Sequence, residues 1–109
     1  TAAYITEKGG NVVFKSDDFF MTIIENTSIS FSKENSGYIS VFSYIEKSTG
    51  VTEKGLFYEI TDAELTANYP LGVSNRFNGK KSFISVEAGK LCIIWNGNQG
   101  NYYLGGKHE

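Results

Sequence analysis

The sequence predicts an all-β fold, a single-domain antiparallel β-sandwich or β-barrel of about eight or nine short strands. Three observations carry this prediction. Apolar and polar residues alternate with a period of two along most of the 109 residues. Clusters of Gly, Asn, Asp and Ser interrupt the alternation at short intervals. The runs between them are rich in aromatic and β-branched residues, with eight Phe, seven Tyr and one Trp in the chain.

In chain order, strands are expected near residues 3–7, 11–15, 19–25, 28–33, 38–46, 55–60, 81–87, 91–96 and 101–105. "SISFS" at Ser28 alternates cleanly, with Ile29 and Phe31 on one face. "YISVFSYI" at Tyr38 puts Ile39, Val41 and Ile45 on one side and Tyr38, Phe42 and Tyr44 on the other. "DDFFMTII" at Asp17 is apolar on both faces, as for a strand covered on both sides. In "LCIIW", Leu91, Ile93 and Trp95 share one face, and Cys92 and Ile94 the other. The short loop 32–37 suggests that strands 28–33 and 38–46 form a hairpin, and "NGNQGN" at Asn96 suggests a second hairpin tip. Lys47 to Gly50 is expected to be a turn.

The segment Ile60 to Lys80 lacks alternation. Thr61-Asp62-Ala63-Glu64 has the spacing of a capping box, and Pro70 would end a helix begun there. One short helical turn near 62–68 is therefore predicted, followed by a loop over the open end of the fold. Neither an internal repeat nor a linker divides the chain, so residues 1–109 are expected to form one domain.

Several chemistries are excluded by inventory. Net charge is −2 with only Lys80-Lys81 as adjacent basic residues, so no nucleic-acid partner is expected. No apolar run approaches the roughly 18 residues of a membrane span. The single Cys permits no internal disulfide, and its apolar setting predicts a buried, inert thiol. The single His, His108, lies near the end of the sequence behind two glycines, which suits neither a metal site nor a catalytic dyad; neither metal nor cofactor is expected. Asp17, Asp18, Glu46, Glu53, Glu59, Asp62, Glu64 and Glu87 are candidate carboxylates, mostly beside turn residues, where solvated charge is the ordinary state. Glu59, in "FYEI", lies among aromatics. The glycines of "GNQGNYYLGG" lack the Lys-Ser/Thr ending of a phosphate loop.

What remains is binding. Trp95, Tyr102 and Tyr103 lie near Asn96, Asn98, Gln99 and Asn101, a set of flat rings and planar amides suited to sugars. Tyr38 and Tyr44 supply a second aromatic row, and Arg76, beside Asn75, polar reach from the long loop. A structural account competes: Asn-Gly makes tight turns, and Tyr and Trp are ordinary strand residues. If Ile93 faces the core, Trp95 faces it too. The function expected is a non-catalytic binding module, not an enzyme, recognising carbohydrate. The alternative is a protein-interaction or assembly protein, such as a fibre, virion or toxin-complex subunit, or an inhibitor or immunity protein. The expected partners are carbohydrate or a protein surface, with the oligomeric state open. The first residues, "TAAY", fit a mature secreted chain, an excised domain or a trimmed tag. The expected location is secreted or on a cell or virion surface, with the cytoplasm left open.

Overall fold

The computed structural model describes residues 4–8, 11–67, 74–96 and 101–105. They form two antiparallel sheets packed face to face. One sheet runs in the order β1 (Tyr4–Lys8), β2 (Asn11–Lys15), β3 (Phe19–Glu25), β10 (Lys90–Asn96), β5 (Tyr38–Ser43), β8 (Ser74–Arg76). The other runs β11 (Tyr102–Leu104), β4 (Ser28–Phe31), β9 (Ser82–Ser85), β6 (Lys47–Lys54), β7 (Ile60–Thr66). The fold is a β-sandwich, the first of the two all-β forms expected.

Register explains why the alternating runs bury as they do. On β10, Leu91, Ile93 and Trp95 lie opposite Ile24, Thr22 and Phe20 of β3, and opposite Ser43, Val41 and Ile39 of β5. Side chains directly opposite share a face, and this one is the interior. From the facing sheet come Ile29 and Phe31 of β4, Ile84 of β9, Val51 of β6 and Leu65 of β7, all buried. Trp95 is 1% exposed. Its ring stacks on Phe20 at 5.3 Å and meets Phe31 edge-on at 5.0 Å, joining the two layers. Cys92, on the other face of β10, is also buried, and burial pushes its thiol pKa up, which keeps it protonated and unreactive.

Five local expectations give way to tertiary pairing. Over the described part of the predicted helical turn, residues 62–67, no helix forms; Ile60–Thr66 is instead the edge strand β7, paired with β6. That pairing is irregular, with register shifts between Ser48 and Val51 and between Val51 and Glu53. Asp62 takes a positive φ of 50°, and its N–H donates to Thr52 Oγ1 at 3.1 Å. The bulge erases the period of two that would have announced a strand. A capping box satisfies only two donors, whereas the ladder satisfies a strand's worth and buries Leu65 completely.

The turn expected at Lys47–Gly50 lies within β6, where Gly50 accommodates a positive φ of 65°. The strand expected at 55–60 is mostly a turn, attached by the isolated bridge between Leu56 and Phe77. Strands β4 and β5 do not form a hairpin: they belong to opposite sheets, and residues 32–37 cross between layers. Asn35, buried in that crossing, donates from Nδ2 to the Asn101 carbonyl at 2.9 Å. Strands β10 and β11 likewise lie in opposite sheets and do not pair as a hairpin; residues 97–100 between them lie outside the described residues.

Candidate ligand site

The site begins with a buried amide. Asn75 on β8 lies opposite Ile39, so its side chain enters the interior, and it is 2% exposed. Every hydrogen-bonding capacity of that amide is used. Nδ2 donates to the Tyr58 carbonyl at 2.8 Å and to Glu53 Oε1 at 3.1 Å. Oδ1 accepts the N–H of Tyr58 at 3.0 Å and that of Arg76 at 2.9 Å. Asn75 thus clamps the main chain of Tyr58 at both of its polar groups.

The clamped turn is closed by other means as well. Phe57 N–H donates to the Arg76 carbonyl at 2.9 Å. Gly55 N–H donates to Glu59 Oε2 at 2.8 Å. Gly55 has a φ of +81°, and a Cβ there would lie 2.1 Å from the Lys81 carbonyl oxygen, so only glycine fits.

This turn presents rings to solvent. Phe57 is 50% and Tyr58 62% exposed, and the two meet edge-on at 5.4 Å. The Arg76 guanidinium lies 4.7 Å from the Phe57 ring centroid, a cation–π contact worth about 0.5–1 kcal/mol at an exposed site. Tyr38, 64% exposed, is opposite Arg76 in the β5–β8 ladder. Exposed aromatics on a turn held by buried polar bonds form a rigid platform, which lowers the ordering cost of binding a flat ligand. Glu53 lies behind the platform, 1% exposed, and burial pushes its carboxyl up to about 7 against the Asn75 hydrogen bond, which lowers it.

The sequence-predicted residues divide among three places. Arg76 and Tyr38 adjoin the platform. Trp95 is in the core, and Tyr102 is half-buried against it at 5.4 Å. Asn96 uses its Oδ1 to accept the Tyr38 N–H at 2.7 Å. The Asn101 carbonyl accepts from Asn35 and from the Ser32 N–H, and its own N–H donates to Ser32 Oγ. Tyr103 and Tyr44 are exposed, Tyr103 on β11 and Tyr44 just after β5. Asn98 and Gln99 lie outside the described residues. Glu53, expected among solvated turn acids, is instead buried. The platform rings Phe57 and Tyr58 were missed; their one sequence signal was "GLFYE", two adjacent aromatics between a glycine and an acid. Among the described residues no group of three or more His, Cys, Asp or Glu could hold a metal ion, and no helix is long and apolar enough to cross a membrane.

Residues 26–91 match the family model for the vitamin B1 binding domain of thiamin pyrophosphokinase. The chain belongs to this family. The matched span contains Glu53, Phe57, Tyr58, Asn75 and Arg76 and stops before Trp95. Solved structures agree on the fold. Thiamine pyrophosphokinase from Bacillus subtilis is 20% identical with a TM-score of 0.66, covering 76% of this chain and 39% of its own. The enzyme from Geobacillus thermodenitrificans is 18% identical with a TM-score of 0.63, covering 75% and 39%. A family protein from Enterococcus faecalis is 17% identical with a TM-score of 0.58, covering 75% and 38%. The chain therefore spans about two fifths of the proteins it resembles. No curated protein matches the sequence.

Family membership overturns the functional expectations. Carbohydrate recognition rested on the aromatics and amides around Trp95, which the family span omits and of which the core takes Trp95 itself. The alternative of an interaction or assembly protein, the protein-surface partner and the expectation of a non-enzyme fall to the same finding, because the family is a domain of thiamin pyrophosphokinase. The secreted or surface location followed from the carbohydrate reading and goes with it.

Proposed function

We infer that residues 1–109 act as one thiamin-binding domain within a longer thiamin pyrophosphokinase. The observation that carries this reading is the exposed Phe57–Tyr58 pair held by buried Asn75, inside the span that matches the family. Thiamin joins an aminopyrimidine to a thiazolium cation and carries a hydroxyethyl arm. Tyr58, whose main chain is fixed at two points, offers a ring face for one heterocycle, and an aromatic face also attracts the thiazolium charge. Arg76 covers Phe57 and repels the thiazolium, so the cation lies toward Tyr58. The same guanidinium is suited to the phosphates of the pyrophosphorylated product, which it can bind in bidentate fashion. This chain has no Gly-rich phosphate loop, so the pyrophosphoryl donor is handled by the rest of the enzyme.

Calorimetric titration of the chain with thiamin tests the reading. Saturable binding that Tyr58→Ala weakens, and that Tyr103→Ala leaves intact, is expected. Binding of oligosaccharides but not thiamin would overturn it.

A further inference from the structure

Glu53 is a buried acid for which the platform gives no direct use. On β6 it lies opposite Ile84 of β9 and Ile60 of β7, so its side chain enters the space between the sheets. Oε1 accepts from Asn75, while Oε2 has no hydrogen-bond partner among the described residues. An apolar residue would fill this position without stranding a polar oxygen. Its contact is the amide that fixes Tyr58 and Arg76.

On the thiamin reading given above, we propose that Glu53 is a positioning residue for the platform: through Asn75 it sets the placement of the Tyr58 main chain, and the loss of its own proton accompanies binding of a cationic ligand. The geometry supplies the route. A carboxylate accepts a hydrogen bond about twice as strongly as a neutral carboxyl. Ionisation of Glu53 therefore draws on Nδ2 of Asn75 and polarises the amide, strengthening Oδ1 as the acceptor for Tyr58 and Arg76. A cation settling on the Tyr58 ring favours the ionised form of a carboxyl behind it. Burial holds the acid near 7, so both protonation states are reached around neutral pH. Reciprocity then requires that the ligand release a proton on binding, and that affinity rise with pH.

Charges around Glu53 do not supply this coupling. Lys54 follows it on β6 and points to the opposite face. Glu59 Oε2 accepts the Gly55 N–H. Tyr58, Asp62, Glu64 and Arg76, on the adjoining turn, β7 and β8, are exposed. β9 places Ile84 there, and β5 places Ile39 opposite Asn75.

The test is a pH titration of the unliganded chain followed by amide NMR, from about pH 5.5 to about 8.5. The Asn75 side-chain amide and the Tyr58 and Arg76 main-chain amides are expected to move along one curve with a midpoint near 7. Glu53→Gln, which keeps an acceptor for Asn75, should abolish that shared curve. Calorimetry should show thiamin binding tightening several-fold from about pH 6 to about 8, with Glu53→Gln level across the range. Absence of a common titration in the wild-type chain overturns the proposal, and this readout needs no variant to fold. Persistence of the pH dependence in a folded Glu53→Gln protein overturns it equally. A shared titration in a chain that binds no thiamin supports the Glu53–Asn75–Tyr58 coupling and removes the thiamin reading instead.

Discussion

Asn75 Nδ2 donates to Glu53 Oε1 at 3.1 Å across the interior, joining the edge strand β8 of one sheet to β6 of the other. This is a polar link among apolar neighbours: buried Ile84 lies opposite Glu53 and buried Ile39 opposite Asn75. Its stability depends on pH in a definite direction. The carboxyl has its ordinary value of 4.5 when unfolded and about 7 when folded. Between those values the native state binds more protons than the unfolded chain, so Glu53 makes the protein less stable as pH rises through the window. Its stabilising contribution is complete below the lower value and lost above the upper one. The total is about 3 kcal/mol. Urea unfolding should show Glu53→Gln gaining on the wild type from about pH 4.5 to about 7 and holding a constant advantage above that. A difference independent of pH would contradict the assignment.

Asn75→Ala removes four hydrogen bonds at once and strands Glu53 and the Tyr58 main chain. Buried groups left without partners cost about 1–3 kcal/mol each. A loss of about 3 kcal/mol or more in unfolding free energy is expected, with thiamin affinity falling as well. Thermal melts and calorimetry check the two effects separately.

Tyr58→Ala should separate binding from stability. The ring is largely exposed, so its removal leaves the core intact and costs about 0.5 kcal/mol or less in stability. Thiamin affinity should fall about tenfold or more, because a stacked aromatic contributes on the order of 1–2 kcal/mol at such a site. A variant that binds as well as the wild type would move the site off this turn.

Gly55→Ala places a methyl group against the Lys81 carbonyl, and the positive φ adds its own strain. Backbone strain of this kind costs about 1–3 kcal/mol before the clash is counted. The expected outcome is a destabilised sandwich with a displaced 55–59 turn, visible as shifts of the Phe57 and Tyr58 amides.

Trp95→Ala would empty the space between Phe20, Phe31 and Tyr102. A cavity of this origin costs about 3–5 kcal/mol. Denaturant midpoints should fall accordingly, and thiamin binding by the folded fraction should be unchanged.

By itself the sequence determined the class of fold and which residues of several strands share a face. Period-two alternation put Ile29 with Phe31, and Leu91 with Ile93 and Trp95, on shared faces, because that pattern is local; which face of β10 meets the core, and so where Trp95 points, was decided by the structure. Tertiary structure alone decided which strands pair. A short loop such as 32–37 serves a hairpin and a crossing between sheets equally well, and the choice is made by distant partners, β9 and β11 for β4 and β10 and β8 for β5. The same holds for 60–66, where the cap signal is local but the ladder with β6 is not. The platform was hidden for this reason too. Glu53, Tyr58 and Asn75 are unremarkable one at a time, and they become a site because two sheets bring a carboxyl, a turn and an amide within hydrogen-bonding distance. Alternation reports which side of a strand meets apolar neighbours; it carries no information about which strand those neighbours come from.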